Sequence, residues 1–386
     1  MIRPRGEWLV LAAAATWFAL MCAPGITWMD DGELVVAAHT LGGAHPPGHP
    51  LHTLLGKLAS LLPIGEIAFR VALLSAVAMG VAVAGVVALA RALVPTEHVA
   101  AYVAAGLAAL SPVVQLNATR AEVYAPVAAL IVWAAVLVVR FARAPGPARD
   151  PLLAAVLLGC AAAIHPLIAA SAAVPMAIAV VLAARRRALR LVPLAIACAA
   201  VPLISYAALV IRARAAAPPP FMWGDTSSLS GLFDVIGGAN YRDNFALSGL
   251  GGRFVELAVL CGEGLGLGLL LGGLIGLGFG ALSGLRGAAI ALLTAFAVIA
   301  AAATQSAFNP DMPGYVTPAL LLLAAGLAPI TGAVLRMLPG ELGGPTSPAR
   351  LLIAAAVLLP FAGLGLAGGT ARALDSGFRR GDDPTR

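Results

Sequence analysis

The polar positions of this chain gather into a few short stretches between long apolar runs. Runs of about 20 apolar residues read as membrane-spanning helices, and the pattern predicts about eleven of them. The first lies near 8–23, and others follow at 67–93, 99–116 and 123–139. The run over 151–184 is too long for one crossing. His165-Pro166 divides it into two short helices meeting at the membrane surface, because proline removes a helix hydrogen bond and clashes with the preceding turn. Further spans are expected at 191–211, 254–283, 287–307, 314–335 and 350–369. The predicted architecture is therefore an all-α polytopic membrane protein. Residues 1–371 form a single transmembrane domain with a large first outer loop (24–66) and a second (212–253), and 372–386 form a short charged tail.

Two stretches need separate reading. Arg3 and Arg5 before the first apolar run resemble the start of a signal peptide, but no small-x-small cleavage motif precedes a polar domain, so an uncleaved first span is expected. The glycine-rich run over 262–280 lacks the strand-turn-helix setting of a nucleotide loop. It is expected to be a span whose small residues let helices approach closely.

Composition sharpens the class. The chain is 61% hydrophobic and 11% charged, against about 25% charged for a soluble domain. A soluble enzyme is excluded. The net charge of +6 comes almost wholly from arginine, Lys57 being the single lysine. Cytoplasmic loops of membrane proteins collect such residues, so the basic excess does not point to nucleic acid. Cys22, Cys160, Cys198 and Cys261 stand singly in or beside apolar runs and suggest neither a disulfide framework nor zinc. With the N-terminus inside, alternate loops carry Arg91; Arg140, Arg143 and Arg149; Arg185, Arg186, Arg187 and Arg190; Arg286; and Arg336 with Arg350. The acidic and histidine-rich loops then fall on the other face. The expectation is a multi-pass inner (plasma) membrane protein with its chemistry facing the periplasm or exterior, although Arg372, Arg379 and Arg380 of the tail would also lie outside.

Candidate chemistry concentrates in 28–62, which holds Asp30, Asp31, Glu33, four of the six histidines and Lys57. Asp30 and Glu33, three apart, would share one face of a short helix, which also suits a capping box. Asp31 adds a third carboxylate, and mutual repulsion in such a cluster raises at least one pKa unless a cation compensates. A carboxylate so poised suits a general base taking a proton from an acceptor hydroxyl. His45, His49 and His52 follow among three prolines and Gly48, which enforce a rigid turn and not a helical histidine pair. Nothing there specifies tetrahedral metal geometry, so these histidines and Lys57 are expected to line a wet cleft. Arg120 and Glu122, beside Tyr124, lie at an outer junction where a basic group could clamp phosphate or simply pair with its neighbour. His165 is an ionisable group in a helix break, a functional candidate by default. Trp223 and Tyr241 suit stacking on a sugar or anchoring at the membrane interface, Asp311 caps the next span or reaches the cleft, and Asp225 and Tyr315 complete the outer polar set.

Taken in order, the segments DDGELVVAAHTLGGAHPPGHPLHTLLGKLASLLPIG, AEVYAP, the His165 break, WGDTSSLSGLFDVIGGANYRDNF and NPDMPGYVTPALLLLAAGLA resemble the protein O-mannosyltransferase-like membrane family of the GT-C glycosyltransferase superfamily. The resemblance implies a GT-C fold, a polyprenyl-phosphate-linked sugar donor and transfer at the non-cytoplasmic face to a protein or glycan hydroxyl. It implies that Asp30 is the catalytic carboxylate, with Glu33 beside it. Relatives usually carry a small residue where this chain has Asp31, so both aspartates stay candidates. Arg120, with Lys57 or His165, would offset charge on the departing lipid phosphate. No cofactor beyond the lipid-linked donor is indicated, and a divalent metal is possible without being called for. The competing reading is a multi-span transporter, which would place polar residues at mid-span depth. Here they cluster at outer span ends.

Overall fold

The computed structural model describes residues 5–27, 30–305 and 311–337, with the isolated positions Ile353 and Ala356. Apart from those two positions, the expected last span at 350–369 and the tail at 372–386 lie outside the described residues. Those described are overwhelmingly helical and include two isolated β-bridges. α1 (Arg5–Met21) leads into a first outer loop holding α2 (Asp31–Thr40) and α3 (Pro50–Ser60). The bundle continues through α4 (Ile67–Leu93), α5 (His98–Leu110), α6 (Pro112–Ala118), α7 (Tyr124–Arg143), α8 (Arg149–Ala162), α9 (Pro166–Ala184), α10 (Ala188–Ala200) and α11 (Ala207–Ala213). A second outer loop carries α12 (Leu229–Ile236), before α13 (Leu250–Leu265), α14 (Leu267–Leu282), α15 (Arg286–Ala303), α16 (Met312–Ala324) and α17 (Leu327–Arg336).

Proline at the first helical turn sets several starts, because its missing N–H would lack a partner there anyway. Pro50, Pro112 and Pro166 open α3, α6 and α9 in this way. The break at His165-Pro166 falls where the sequence pattern placed it.

The expected eleven spans are not confirmed among the described residues. Five helical stretches among the described residues are long and apolar enough to cross a membrane, or seven if each of two bent pairs counts as one. The expected 99–116 span is α5 and α6, bent by 66° at Ser111-Pro112, and the expected 254–283 span is α13 and α14, bent by 109°. Gly266, at φ +86°, makes the second bend possible. The two spans expected on either side of the arginine turn join instead into one helical stretch of 48 residues, Pro166–Ala213. That is more than twice the roughly 20 residues a crossing needs. Arg185, at φ 52°, and a 3₁₀ turn over Arg185–Arg187 interrupt it where the cytoplasmic turn was expected.

α4 and α7 form the centre, with α1 and α8 against them and α15 joining α9 to α16. Lipid tails are as apolar as leucine, so close backbone packing is what holds such helices together. The glycine run shows this directly. A Cβ added at Gly273 or Gly276 of α14 would run into the Leu323 or Gly326 carbonyl at the α16–α17 junction. In the first loop, α2 packs on α3 and α4. The second outer loop is pinned to the first where Trp223 N donates to the Gly43 carbonyl at 3.0 Å. These contacts bring the first loop, the α6–α7 junction, the α8–α9 break and the start of α16 to one place.

Candidate active site

The two aspartates at the head of α2 have different surroundings. Asp31 is 1% exposed. Its Oδ2 accepts from the backbone N (2.6 Å) and Oγ1 (2.5 Å) of Thr27, and its Oδ1 accepts from Ala121 N at 3.0 Å. It therefore ties the first loop to the α6–α7 junction. Asp30 leaves one third of its side-chain surface exposed. Although it sits at the N-cap position, its side chain caps no helix N–H, so the capping-box expectation fails here. It turns to His45, with Oδ2 3.6 Å from Nε2, and to Asp311. Glu33 Oε1 accepts from both the backbone N–H and Nδ1 of His45, the latter at 3.1 Å.

A row of rings continues inward. His49 sits in the left-handed region (φ 43°), costly for most residues though histidine is among those enriched there. Its Nδ1 donates to the Ile164 carbonyl at 2.5 Å and its Nε2 lies 3.2 Å from His45 Nε2. His165 follows at 6.1 Å between centroids, then Tyr315 at 4.9 Å edge-on and Tyr124 at 5.9 Å, with the two tyrosines 5.5 Å apart. Gly314 allows this stack, since a Cβ there would fall inside the Tyr124 ring.

Electrostatics separate the histidines. Burial pushes His49 well below its ordinary value, His52 down to about 4 and His165 down to about 3, with the charge on His45 adding to each. These three are neutral at physiological pH. Burial also opposes charge on His45, but the Glu33 hydrogen bond and the Asp30 and Glu33 charges outweigh it and raise its pKa. Glu33 is likewise lowered, burial being outweighed by the bonds from His45. Burial lifts Asp311 to about 6, helped by the Asp30 charge, and lifts Glu122 to about 8 against the pull of Arg120.

The remaining expected residues divide. Arg120 (4% exposed) and Glu122 (1%) are buried beside each other, Nη2 to Oε1 3.5 Å, and both act on Asp311 or its neighbours. The Trp223 indole lies within reach of the Glu33 carboxylate and helps hold its pKa down. Lys57 is not brought to the carboxylates, because its Nζ donates to the His39 carbonyl at 2.6 Å and so closes the end of α2. Asp225 is exposed and folds onto Ser227, whose N and Oγ donate to it. His52 is fully buried under the loop. Sequence reasoning missed Thr27 and Ser75. Ser75 Oγ takes the Glu122 N–H and donates to its carbonyl, both at 3.1 Å. Its one signal was a lone hydroxyl inside an apolar run.

Residues 30–190 match the family described as the Protein O-mannosyl-transferase TMEM260 N-terminal domain. The mouse Protein O-mannosyl-transferase TMEM260 is 49% identical over 71 residues, 18% of this chain and 10% of that protein. The Dictyostelium discoideum protein of the same name is 40% identical over 52 residues, 14% and 6% of the two chains. Among solved structures, ArnT from Cupriavidus metallidurans bound to undecaprenyl phosphate superposes with a TM-score of 0.60 at 15% identity, covering 92% of this chain and 64% of that one. The Archaeoglobus fulgidus oligosaccharyltransferase in complex with Zn and sulfate superposes at 0.55 and 19% identity, covering 94% and 53%. Residues 30–190 thus resemble an O-mannosyl-transferase N-terminal domain, and the chain shares the fold of these two solved structures while spanning only a small part of the curated relatives it matches. Within this helical bundle the matched residues span the first loop, the α6–α7 junction and the α8–α9 break, three of the four elements that converge on Asp30.

Proposed function

We propose that the chain is a membrane glycosyltransferase that moves mannose or a similar hexose from a polyprenyl-phosphate-linked donor to a protein or glycan hydroxyl at the non-cytoplasmic face, with Asp30 as general base. The observation that carries this reading is the contrast at the head of α2. Asp31 is spent on three hydrogen bonds from the chain, whereas Asp30 stays partly exposed beside His45. The relatives' printed names and the undecaprenyl phosphate of the ArnT neighbour support the reaction class and the donor.

The chemistry is a single displacement. Asp30 accepts the acceptor hydroxyl's proton as the oxygen bonds to the anomeric carbon, and the bond from that carbon to the phosphate oxygen breaks. The lipid phosphate leaves with that electron pair. Glu122, protonated at neutral pH, leaves the Arg120 charge without full neutralisation, which suits Arg120 to the leaving phosphate. Trp223 and Tyr315 would flank the sugar. Lys57 drops out of the phosphate role because it is held at the end of α2. The arginine-rich loops support an orientation with this site outside the cytoplasm. Incubating the purified protein with polyprenyl-phosphate mannose and a hydroxyl-bearing acceptor peptide tests the reading. Release of polyprenyl phosphate with mannosylated peptide is expected, and donor flux across proteoliposomes without any sugar transfer would favour a transporter instead.

A further inference from the structure

We propose that His45 is a doubly protonated imidazolium that stands between Asp30 and Glu33 in the place of a divalent cation. This deepens the reading of Asp30 as base and rests on it for its catalytic consequence alone.

The argument runs through the ring protons. The Ile164 carbonyl can only accept, so His49 Nδ1 carries a proton. His49 is 1% exposed and touches no carboxylate in the described structure, so a second proton there would be a buried charge without a counter-ion. Its Nε2 is therefore a bare acceptor, and the atom 3.2 Å away, His45 Nε2, must donate to it. The other nitrogen of His45, Nδ1, faces the Glu33 carboxylate at 3.1 Å and must donate as well. Both ring nitrogens of His45 thus hold protons, and the charge lies between Glu33 and Asp30.

Asp30, Glu33 and His45 offer donor atoms within 4.8 Å of one another, a spacing that could hold a metal ion. The fit fails at the histidine. A ligating imidazole must be neutral with a lone pair aimed at the metal, so an ion would first have to displace a ring proton that Glu33 or His49 holds. The groups facing this ring from neighbouring elements are Asp30 and Glu33 of α2, His49 before α3, Glu122 at the α6–α7 junction and Asp311 before α16. Asp30 and Glu33 supply the negative charge in direct contact, and His49 supplies the acceptor.

In the reaction, His45 holds Asp30 in place. The acceptor proton goes to Asp30 and stops there, since His45 has no free lone pair to take it on. His45 is a positioning residue.

The test uses full-length protein in lipid nanodiscs, labelled with ¹⁵N-histidine. The expected ¹H–¹⁵N spectrum shows one ring with both nitrogens protonated at pH 7.5, a pH at which an ordinary histidine, with its pKa near 6.5, is neutral. That ring is absent from His45→Gln. A singly protonated His45 at pH 7.5 overturns the proposal. Titration with ZnCl₂ and with MnCl₂ needs no variant, and no stoichiometric binding is expected. One equivalent bound at the Asp30 cluster overturns it. In transfer assays, chelator leaves lipid-phosphate release unchanged. His45→Gln lowers kcat about tenfold with donor KM unchanged and removes the alkaline limb of the pH profile, while His45→Lys restores part of the rate. Should Asp30 prove not to be the base, the spectrum and the metal titrations still decide the state of His45.

Discussion

Replacing Asp31 by Asn separates anchoring from chemistry at the head of α2. The amide keeps one acceptor oxygen for Ala121 N but turns an N–H toward the Thr27 amide and hydroxyl that now donate to Oδ2. Hydrogen bonds to a charged group contribute about 1.5–3 kcal/mol each, and a buried donor left without a partner adds its own penalty. Two such bonds are lost at a site that is 1% exposed. The Thr27 hydroxyl can rotate to another acceptor, so the expected loss is about 3 kcal/mol. At roughly 2 °C per kcal/mol for a chain of this size, Tm should fall by about 6 °C. Thermal unfolding of the purified protein in detergent, followed by tryptophan fluorescence, measures it. Well below that Tm, transfer should stay within about threefold of wild type, because no transition-state contact has been removed. An unchanged Tm together with abolished transfer would refute the reasoning and make Asp31 the reacting carboxylate.

Two further outcomes follow from the same neighbourhood. Glu122 titrates near 8 when folded against an ordinary value of 4.5. The native state therefore holds a proton the unfolded chain has released, and stability falls as pH rises from about 4.5 through about 8. Glu122→Gln mimics the protonated form, so its Tm should fall less than wild type between pH 6 and 9, and parallel profiles would remove Glu122 as the cause. Gly314→Ala drives a methyl into the Tyr124 ring, which is already held between His165 and Tyr315. Overpacking of this kind costs about 1–3 kcal/mol, seen as a lower Tm, and a neutral effect would show that the aromatic stack yields easily.

Much of the fold was legible because apolar length and proline position act locally. The 67–93 run is α4 end to end, and His165-Pro166 breaks its run as expected. The bend at Gly266 was hidden, since glycines are frequent in membrane helices and one more carries no signal. The eleven-span count is not confirmed among the described residues for a related reason. Hydropathy reports the length of an apolar run, not whether it stays straight. At the site, residue types drew attention to the stretch where the polar groups meet, but their partners lay far away in sequence. Asp31 meets an amide 90 residues away, and His49 meets a carbonyl 115 residues away. Neither could be seen in the spacing around them. Asp30 looked like a cap by position, and Lys57 looked like a phosphate ligand by charge. Each is reassigned by where its side chain reaches.

The central claim is that Asp30 takes the acceptor proton. Its most direct test is the rate of polyprenyl-phosphate release by purified Asp30→Asn protein supplied with polyprenyl-phosphate mannose and acceptor, beside its unfolding curve. With a third of its side chain exposed and no helix N–H capped, the variant should unfold with wild-type Tm. Transfer should drop by about 10²-fold or more, the contribution of a positioned general base. Wild-type turnover by the correctly folded variant would contradict the account.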